Sequence, residues 1–157
     1  MGVQFSCALI KREVLDSIGL LDNRMFLYLE DVDYCIRARL VGWKVVYCPS
    51  SVIYHYAGGS TKQSWRTRRY GYANRLRVVL KNYSTSNMLK WGSFGFVLCL
   101  VSVLASFKNR TMDWLGSIYA FYWNIFNFPV RERIFIQRKR VQSDEAIFRY
   151  SVRGNRW

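Results

Sequence analysis

The sequence predicts an α/β domain followed by helices that associate with a membrane. Within residues 1–62, short apolar stretches alternate with amphipathic ones, as strands and helices do in an α/β domain. Residues 91–107 and 114–130 then form two runs without a charged side chain. The chain of 157 residues has a net charge of +14, and residues 34–112 contain no acid, so an anionic partner is expected.

The first part of the chain contains three strand candidates and two helix candidates. The strand candidates are the apolar stretches "VQFSCALI", "WKVVYCP" and "SVIYH". The first predicted helix, "KREVLDSIG", ends at Gly19, and the second runs over residues 30–40 and ends at Gly42. This order predicts that residues 1–62 form one unit.

The rest of the chain is divided by charge. Residues 63–90 are predicted to be a basic amphipathic helical linker, 91–130 a hydrophobic helical hairpin, and 131–157 a basic C-terminal tail. Residues 62–81 hold seven basic side chains and no acid, so we expect them to lie against an anionic membrane surface. The apolar stripe of this helix consists of Trp65, Tyr72, Leu76, Val79 and Leu80.

The hydrophobic hairpin has three possible settings. A helix of 17 residues is about 25 Å long, slightly less than a hydrocarbon layer of about 30 Å. Basic residues on both outer sides favour a hairpin with both ends at the cytoplasmic face, and Gly92 and Gly95 suit close helix packing. Two core helices of a soluble domain, or a hairpin embedded in one leaflet, are the alternatives.

The four cysteines, Cys7, Cys35, Cys48 and Cys99, show no CxxC spacing. Each lies in an apolar run, so buried free thiols in a reducing compartment are expected.

The acids Glu30, Asp31 and Asp33 stand together at the start of the second helix. Acids in a first helical turn satisfy free backbone N–H groups and favour the helix dipole, and Asp33 can pair with Arg37 on the surface at i,i+4 spacing. The aromatic stretch "MFLYL" before them indicates instead a partly desolvated pocket in which a carboxylate acts as a base. Both interpretations stay open on pattern alone.

His55 is the only histidine in the chain and precedes the glycine-containing stretch "YAGGS". A single histidine at the end of a strand is more often structural than a ligand. The glycines after it let the backbone approach a bound group closely.

The stretches "LIKREVLDSIGLLD", "LYLEDVDYCIRARLVGWKVVY" and the spaced "H…GGS" resemble the C-terminal half of the catalytic domain of family 2 glycosyltransferases. Within that family, the pattern resembles the rhamnosyltransferase-like enzymes of surface-polysaccharide assembly. The resemblance implies a GT-A fold, a nucleotide-diphosphate sugar donor and a lipid-linked or glycan acceptor. It also implies a divalent metal, Mg²⁺ or Mn²⁺, and transfer with inversion.

The resemblance also implies a role for each motif residue. Asp31 would be the general base, and Glu30, Asp33 and Arg37 would form the acceptor site. His55 would bind the metal. The donor diphosphate would be bound by Gly58, Gly59, Ser60 and Lys62.

The family's donor-binding half and its DxD motif have no counterpart in this sequence, so we expect a fragment of a longer enzyme that is inactive alone. We expect it at the cytoplasmic face of the cell membrane. The alternative is a non-catalytic, membrane-anchored basic interaction module. Binding of nucleic acid through "WRTRRYGYANRLR" is not expected, because the long apolar pair argues against it.

Overall fold

The computed structural model describes residues 5–54, 64–108 and 113–147. Six helices lie within these ranges, and a further helical turn covers residues 144–147. They are α1 (Arg12–Ile18), α2 (Glu30–Leu40), α3 (Trp65–Asn82), α4 (Thr85–Lys108), α5 (Asp113–Phe126) and α6 (Val130–Lys139).

The predicted α/β class is wrong for this structure, because the described residues contain helices and no strand. The stretches "WKVVYCP" and "SVIY" are irregular, and the described part of "VQFSCALI" is a turn followed by irregular chain. A strand persists only when a neighbouring strand accepts and donates its backbone hydrogen bonds, and the described ranges supply no such neighbour. Val46, Val52 and Tyr54 are accordingly exposed.

Both helices predicted in the first part are present. Glycines with positive φ follow them, Gly19 at 76° and Gly42 at 94°, a backbone conformation that glycine adopts without steric cost. A hydrophobic core joins these two helices to α6 and the turn at 144–147. Its buried members are Val14, Ile18, Tyr34, Ala38, Leu40, Ile136 and Ile147.

Helix α3 lies at the centre of the molecule and contacts α2, α4, α5 and α6. A capping box begins it: the Ser64 hydroxyl accepts from the Thr67 N–H, and the Thr67 hydroxyl accepts from the Ser64 N–H. The predicted basic helix is therefore present, but it is packed against other helices on several sides. Arg77 and Lys81 are buried, while Arg66, Arg68 and Arg75 are exposed.

Small residues bring α4 and α5 close to α3. A Cβ atom added at Gly95 would stand 3.0 Å from Leu76, and one added at Gly116 would stand 3.1 Å from Tyr72. The rings of Phe96 on α4 and Phe121 on α5 meet edge to face at 5.1 Å between centroids. The close packing expected at Gly95 is thus present, with α3 as the partner helix.

Helix α4 begins at Thr85, inside the predicted linker, and its 22-residue stretch Thr85–Ser106 is long and apolar enough to cross a membrane. Almost none of that stretch is buried. Helix α5 is shorter, at 14 residues. It buries one face on α3, including Ala120 and Asn124, while Tyr122 and Phe126 on another face are exposed.

Part of the predicted C-terminal tail is an ordered helix. Arg133 on α6 donates to the carbonyls of Leu80 and Tyr83, and Gln137 donates to the carbonyl of Asn82. These bonds satisfy carbonyls at the end of α3 that have no partner within that helix.

The four cysteines are free, as predicted. Only Cys35 is buried; Cys7 and Cys48 are exposed, because the stretches around them are not strands of a sheet.

Candidate active site

The acid motif begins α2 after a turn of unusual backbone conformation. Tyr28 and Leu29 have φ angles of 69° and 68°, in the left-handed region that bulky side chains rarely adopt. Each such residue costs on the order of 1–3 kcal/mol and persists only where its surroundings hold it. The side-chain amide of Asn74 on α3 donates to the carbonyls of Leu27 (2.9 Å) and Tyr28 (2.8 Å). Two hydrogen bonds from α3 therefore hold the turn that leads into Glu30 and Asp31.

Asp31 is half-buried in the first turn of α2. Its Oδ1 accepts a hydrogen bond of 2.7 Å from the N–H of Val32. Within the described ranges, Asp31 makes no other hydrogen bond and no ion pair. One carboxylate oxygen is therefore held by the backbone, and the other is available to a ligand.

Glu30 lies beside it and is also half-buried. Its Oε2 is shielded from water and has no hydrogen-bond partner among the described residues. A buried carboxylate oxygen without a partner is costly, so Glu30 is suited to accept a hydrogen bond from a ligand.

Asp33 has a different environment, because its side chain is fully buried between α2 and α3. It accepts hydrogen bonds from Arg37 Nε (2.9 Å) and Asn82 Nδ2 (2.8 Å), and it forms an ion pair with Lys81 Nζ (2.7 Å). The expected Asp33–Arg37 pair is present, but it lies in the interior and not on the surface. These contacts give Asp33 a structural role in joining α2 to α3, and its role in acceptor binding stays a prediction.

Arg37 is likewise occupied by interior contacts. Besides Asp33, it donates to the carbonyls of Ile18 (2.8 Å) and Leu20 (3.0 Å), where α1 ends. Its guanidinium also lies 4.9 Å from the ring centre of Tyr34. Arg37 thus ties α1 to α2, and its place in the acceptor site also stays a prediction.

The ion pairs continue from Asp33 through Lys81 to Asp22. Lys81 Nζ lies 2.7 Å from Asp22 Oδ2, and Arg77 Nε lies 2.8 Å from the same oxygen. Arg77 also contacts Glu132 (3.1 Å). Burial opposes ionisation of Asp22, but the hydrogen bonds and charges of Arg77 and Lys81 outweigh it and hold the pKa of this carboxyl well below its usual range.

Sequence reasoning did not assign Asp22, Asn74, Arg77 or Lys81 to the site. Arg77 and Lys81 belong to the basic stretch, which favours an exposed interpretation. One signal was present: the two residues are four apart, so they share a face of α3 with the apolar positions.

The remaining predicted site residues, His55, Gly58, Gly59, Ser60 and Lys62, lie outside the described residues. Among the residues that are described, no three His, Cys, Asp or Glu side chains come close enough together to hold a metal ion. The described residues therefore form no metal site by themselves, and the metal stays a prediction.

Comparison with known proteins finds a family whose model matches the segment with the acid motif. The profile described as "Glycosyltransferase like family 2" matches residues 2–74. This match confirms the resemblance to a part of a family 2 glycosyltransferase that was inferred from the motifs.

Two curated relatives share the name N-acetylglucosaminyl-diphospho-decaprenol L-rhamnosyltransferase and come from two strains of Mycobacterium tuberculosis. Each is 41% identical over 56 residues, which cover 36% of this chain and 18% of the relative. An uncharacterized protein, y4gI of Sinorhizobium fredii, is 32% identical over 60 residues, 38% of this chain and 7% of its own length. The chain thus matches only a minor part of each relative, and no solved structure matches it significantly.

Proposed function

We propose that this chain contributes the acceptor side of the active site of a glycosyltransferase. The observation that carries the proposal is the family match over residues 2–74, which includes the acid motif. Asp31, with one oxygen on a backbone N–H and the other available, and Glu30, with a buried unpaired oxygen, support it.

In the proposed reaction Asp31 acts as general base. It takes the proton of an acceptor hydroxyl while that oxygen attacks the anomeric carbon of the donor sugar. The bond from this carbon to the diphosphate breaks, and the nucleoside diphosphate leaves with the bonding electrons. Because the acceptor attacks opposite the leaving group, the configuration inverts. Glu30 accepts a hydrogen bond from the acceptor and orients it.

The rhamnosyltransferase name of the relatives suggests the substrates. We propose a nucleoside-diphosphate L-rhamnose as donor and a polyprenyl-diphosphate-linked N-acetylglucosamine as acceptor, for assembly of a cell-surface glycan. Asp31 and Glu30 would face the acceptor sugar.

A lipid-linked acceptor requires a membrane, and we propose the cytoplasmic face of the cell membrane. The start of α4 is held by polar contacts, because Asp144 accepts hydrogen bonds from Ser84 (2.7 Å) and Asn87 (2.6 Å). Further along the helix, Gly95 packs on Leu76 of the basic helix α3. Only residues 96–108 extend beyond these contacts, about 20 Å of helix, less than the roughly 30 Å of a hydrocarbon layer.

The exposed apolar side chains of that second half of α4 include Val97, Val101 and Leu104. We therefore propose that this half of α4 enters one leaflet rather than crossing the bilayer. Insertion into one leaflet keeps the arginines of α3 at the interface between membrane and water.

Substitution of Asp31 tests the proposed chemistry in the full-length protein. Asp31→Asn keeps the size of the side chain and its hydrogen bond to Val32 but removes the base, so turnover should fall by about two to four orders of magnitude. The measurement is release of nucleoside diphosphate with the two substrates named above. Asp16→Asn, an exposed carboxylate on α1, is the control and should leave turnover unchanged. Near-normal turnover in Asp31→Asn would return Asp31 to a capping role, whereas absence of transfer by the parent protein would favour the non-catalytic membrane module.

A further inference from the structure

The turn before the acid motif depends on one side chain of α3. Asn74 is buried, with 1% of its surface exposed, and its amide donates to two consecutive carbonyls, those of Leu27 and Tyr28. The next two φ angles, at Tyr28 and Leu29, are positive, and Leu29 is the residue from which α2 begins. The direction in which the first turn of α2 presents its acids is therefore set by a bond from another helix.

The turn has no capping side chain at Leu29, the residue before α2. Bulky residues leave the left-handed region when nothing holds them there. Without Asn74, the turn would relax and Glu30 and Asp31 would rotate with it.

We infer that Asn74 is a positioning residue for the acid motif, so that α3 forms part of the active-site scaffold. This inference rests on the proposed function, in which Asp31 is the base. The inference adds that the position of Asp31 depends on α3, the helix that also packs on α4 and α5. A small displacement of a catalytic group costs up to about a hundredfold in rate, so the effect should appear in kcat.

Asn124 on α5 provides a matched control. It is also a fully buried asparagine whose amide donates two hydrogen bonds to carbonyls, to Ala73 (3.0 Å) and Ala120 (2.8 Å). It holds α5 against α3 through the carbonyl of Ala73, the residue before Asn74. Asn74→Ala and Asn124→Ala thus remove the same amide group from two similarly buried positions.

The experiment compares these variants in the full-length protein by two readouts. In hydrogen–deuterium exchange, Asn74→Ala should raise exchange of residues 27–33 selectively, relative to α6, whereas Asn124→Ala should not. In the turnover assay, Asn74→Ala should lower kcat about tenfold to a hundredfold with an unchanged KM for nucleoside-diphosphate L-rhamnose, and Asn124→Ala should keep kcat within about twofold.

Equal exchange of residues 27–33 in the two variants, or equal loss of kcat, would overturn the inference and leave Asn74 as an ordinary buried amide. If the parent protein shows no transfer, the proposed function fails, and the exchange comparison still decides whether Asn74 holds the acid motif. If an alanine variant does not fold, Asn74→Asp and Asn124→Asp, which keep the size and replace the donor by an oxygen, carry the same comparison.

Discussion

The ammonium group of Lys81 lies 2.7 Å from a carboxylate oxygen of Asp33, and both side chains are almost completely buried. The contact joins α3 to the helix that begins with the acid motif. Lys81 makes a second contact of the same length with Asp22, so this cation lies between two interior carboxylates, each of which also pairs with an arginine. Removal of a partner from a buried ion pair leaves an uncompensated charge, which is strongly destabilising.

Lys81→Met should therefore lower the free energy of unfolding by about 3–5 kcal/mol, because Asp22 and Asp33 both lose a cation while side-chain volume is kept. Chemical denaturation in detergent, followed by circular dichroism, measures the change. Arg12→Met is the control, since it breaks an exposed pair with Asp16 and should cost less than about 1 kcal/mol. Equal losses in the two variants would contradict the central role of the buried pair.

The stability of the protein should depend on the ionisation of Asp22. Its pKa in the folded protein is held well below the ordinary value, so the folded state favours the carboxylate. This contribution is fully present above the pKa of the unfolded chain, about 4, and is lost as the pH falls towards the lower folded pKa.

Asp22→Asn should therefore reduce stability at pH 7, and the difference from the parent should shrink as the pH falls from about 5 to 2. Unfolding midpoints across that range test the prediction, with Asp16→Asn as an exposed control. A difference that is constant with pH would show that Asp22 contributes through packing alone.

The second half of α4 should hold the protein on lipid independently of salt. Basic side chains bind an anionic surface through a charge interaction that salt screens, whereas apolar side chains in a leaflet do not respond to salt. The triple variant Val97→Lys, Val101→Lys, Leu104→Lys should wash off liposomes at high salt, and the parent should stay bound. Leu89→Lys, at an exposed position in the polar-held first half of α4, should behave like the parent. Release of the parent itself by salt would exclude insertion.

Insertion into one leaflet also predicts the topology of the connector after α4. In a variant with the four native cysteines replaced by serine, Lys108→Cys should resist a membrane-impermeant maleimide added from outside intact cells. Ser84→Cys, at the start of α4, should also resist until the cells are opened and then react. Labelling of position 108 from outside would show that α4 crosses the membrane.

The proposed role of His55 is testable through the metal response. His55→Ala in the full-length protein should shift the Mn²⁺ or Mg²⁺ concentration needed for half-maximal turnover upwards, by about tenfold or more. The KM for the acceptor should change much less, because Glu30 and Asp31 are intact. Superimposable metal titrations of variant and parent would make His55 a structural residue.

The parts of the fold that the sequence predicted correctly are the ones determined locally. Helices α1 and α2 follow from their apolar spacing and from Gly19 and Gly42, which act within a few residues. The strand predictions were wrong because a strand is stabilised by a neighbouring strand. An apolar residue such as Val46 or Val52 does not reveal from the sequence whether such a neighbour is present.

The site shows the same division. Glu30 and Asp31 could be proposed as site residues because their motif is contiguous. Asn74 and Lys81 were missed because their partners are about fifty residues away, at Tyr28 and Asp33, and a basic stretch gives no sign of which cation is buried. Long-range pairing of this kind depends on how the helices pack.

The chain of contacts from Asp33 through Lys81 and Asp22 to Arg77 constrains how this protein can be recombined with a relative. A chimera that joined this acid segment to the helices of a related protein after residue 74, where the family match ends, would separate Asp22 from Arg77 and Lys81, and Asp33 from Lys81. Recipient helices would have to supply a lysine and an arginine one helical turn apart, on the face that meets α2. Asp22, Asp33, Arg77 and Lys81 therefore have to be transferred together, although they lie on both sides of the point where a sequence comparison would suggest cutting.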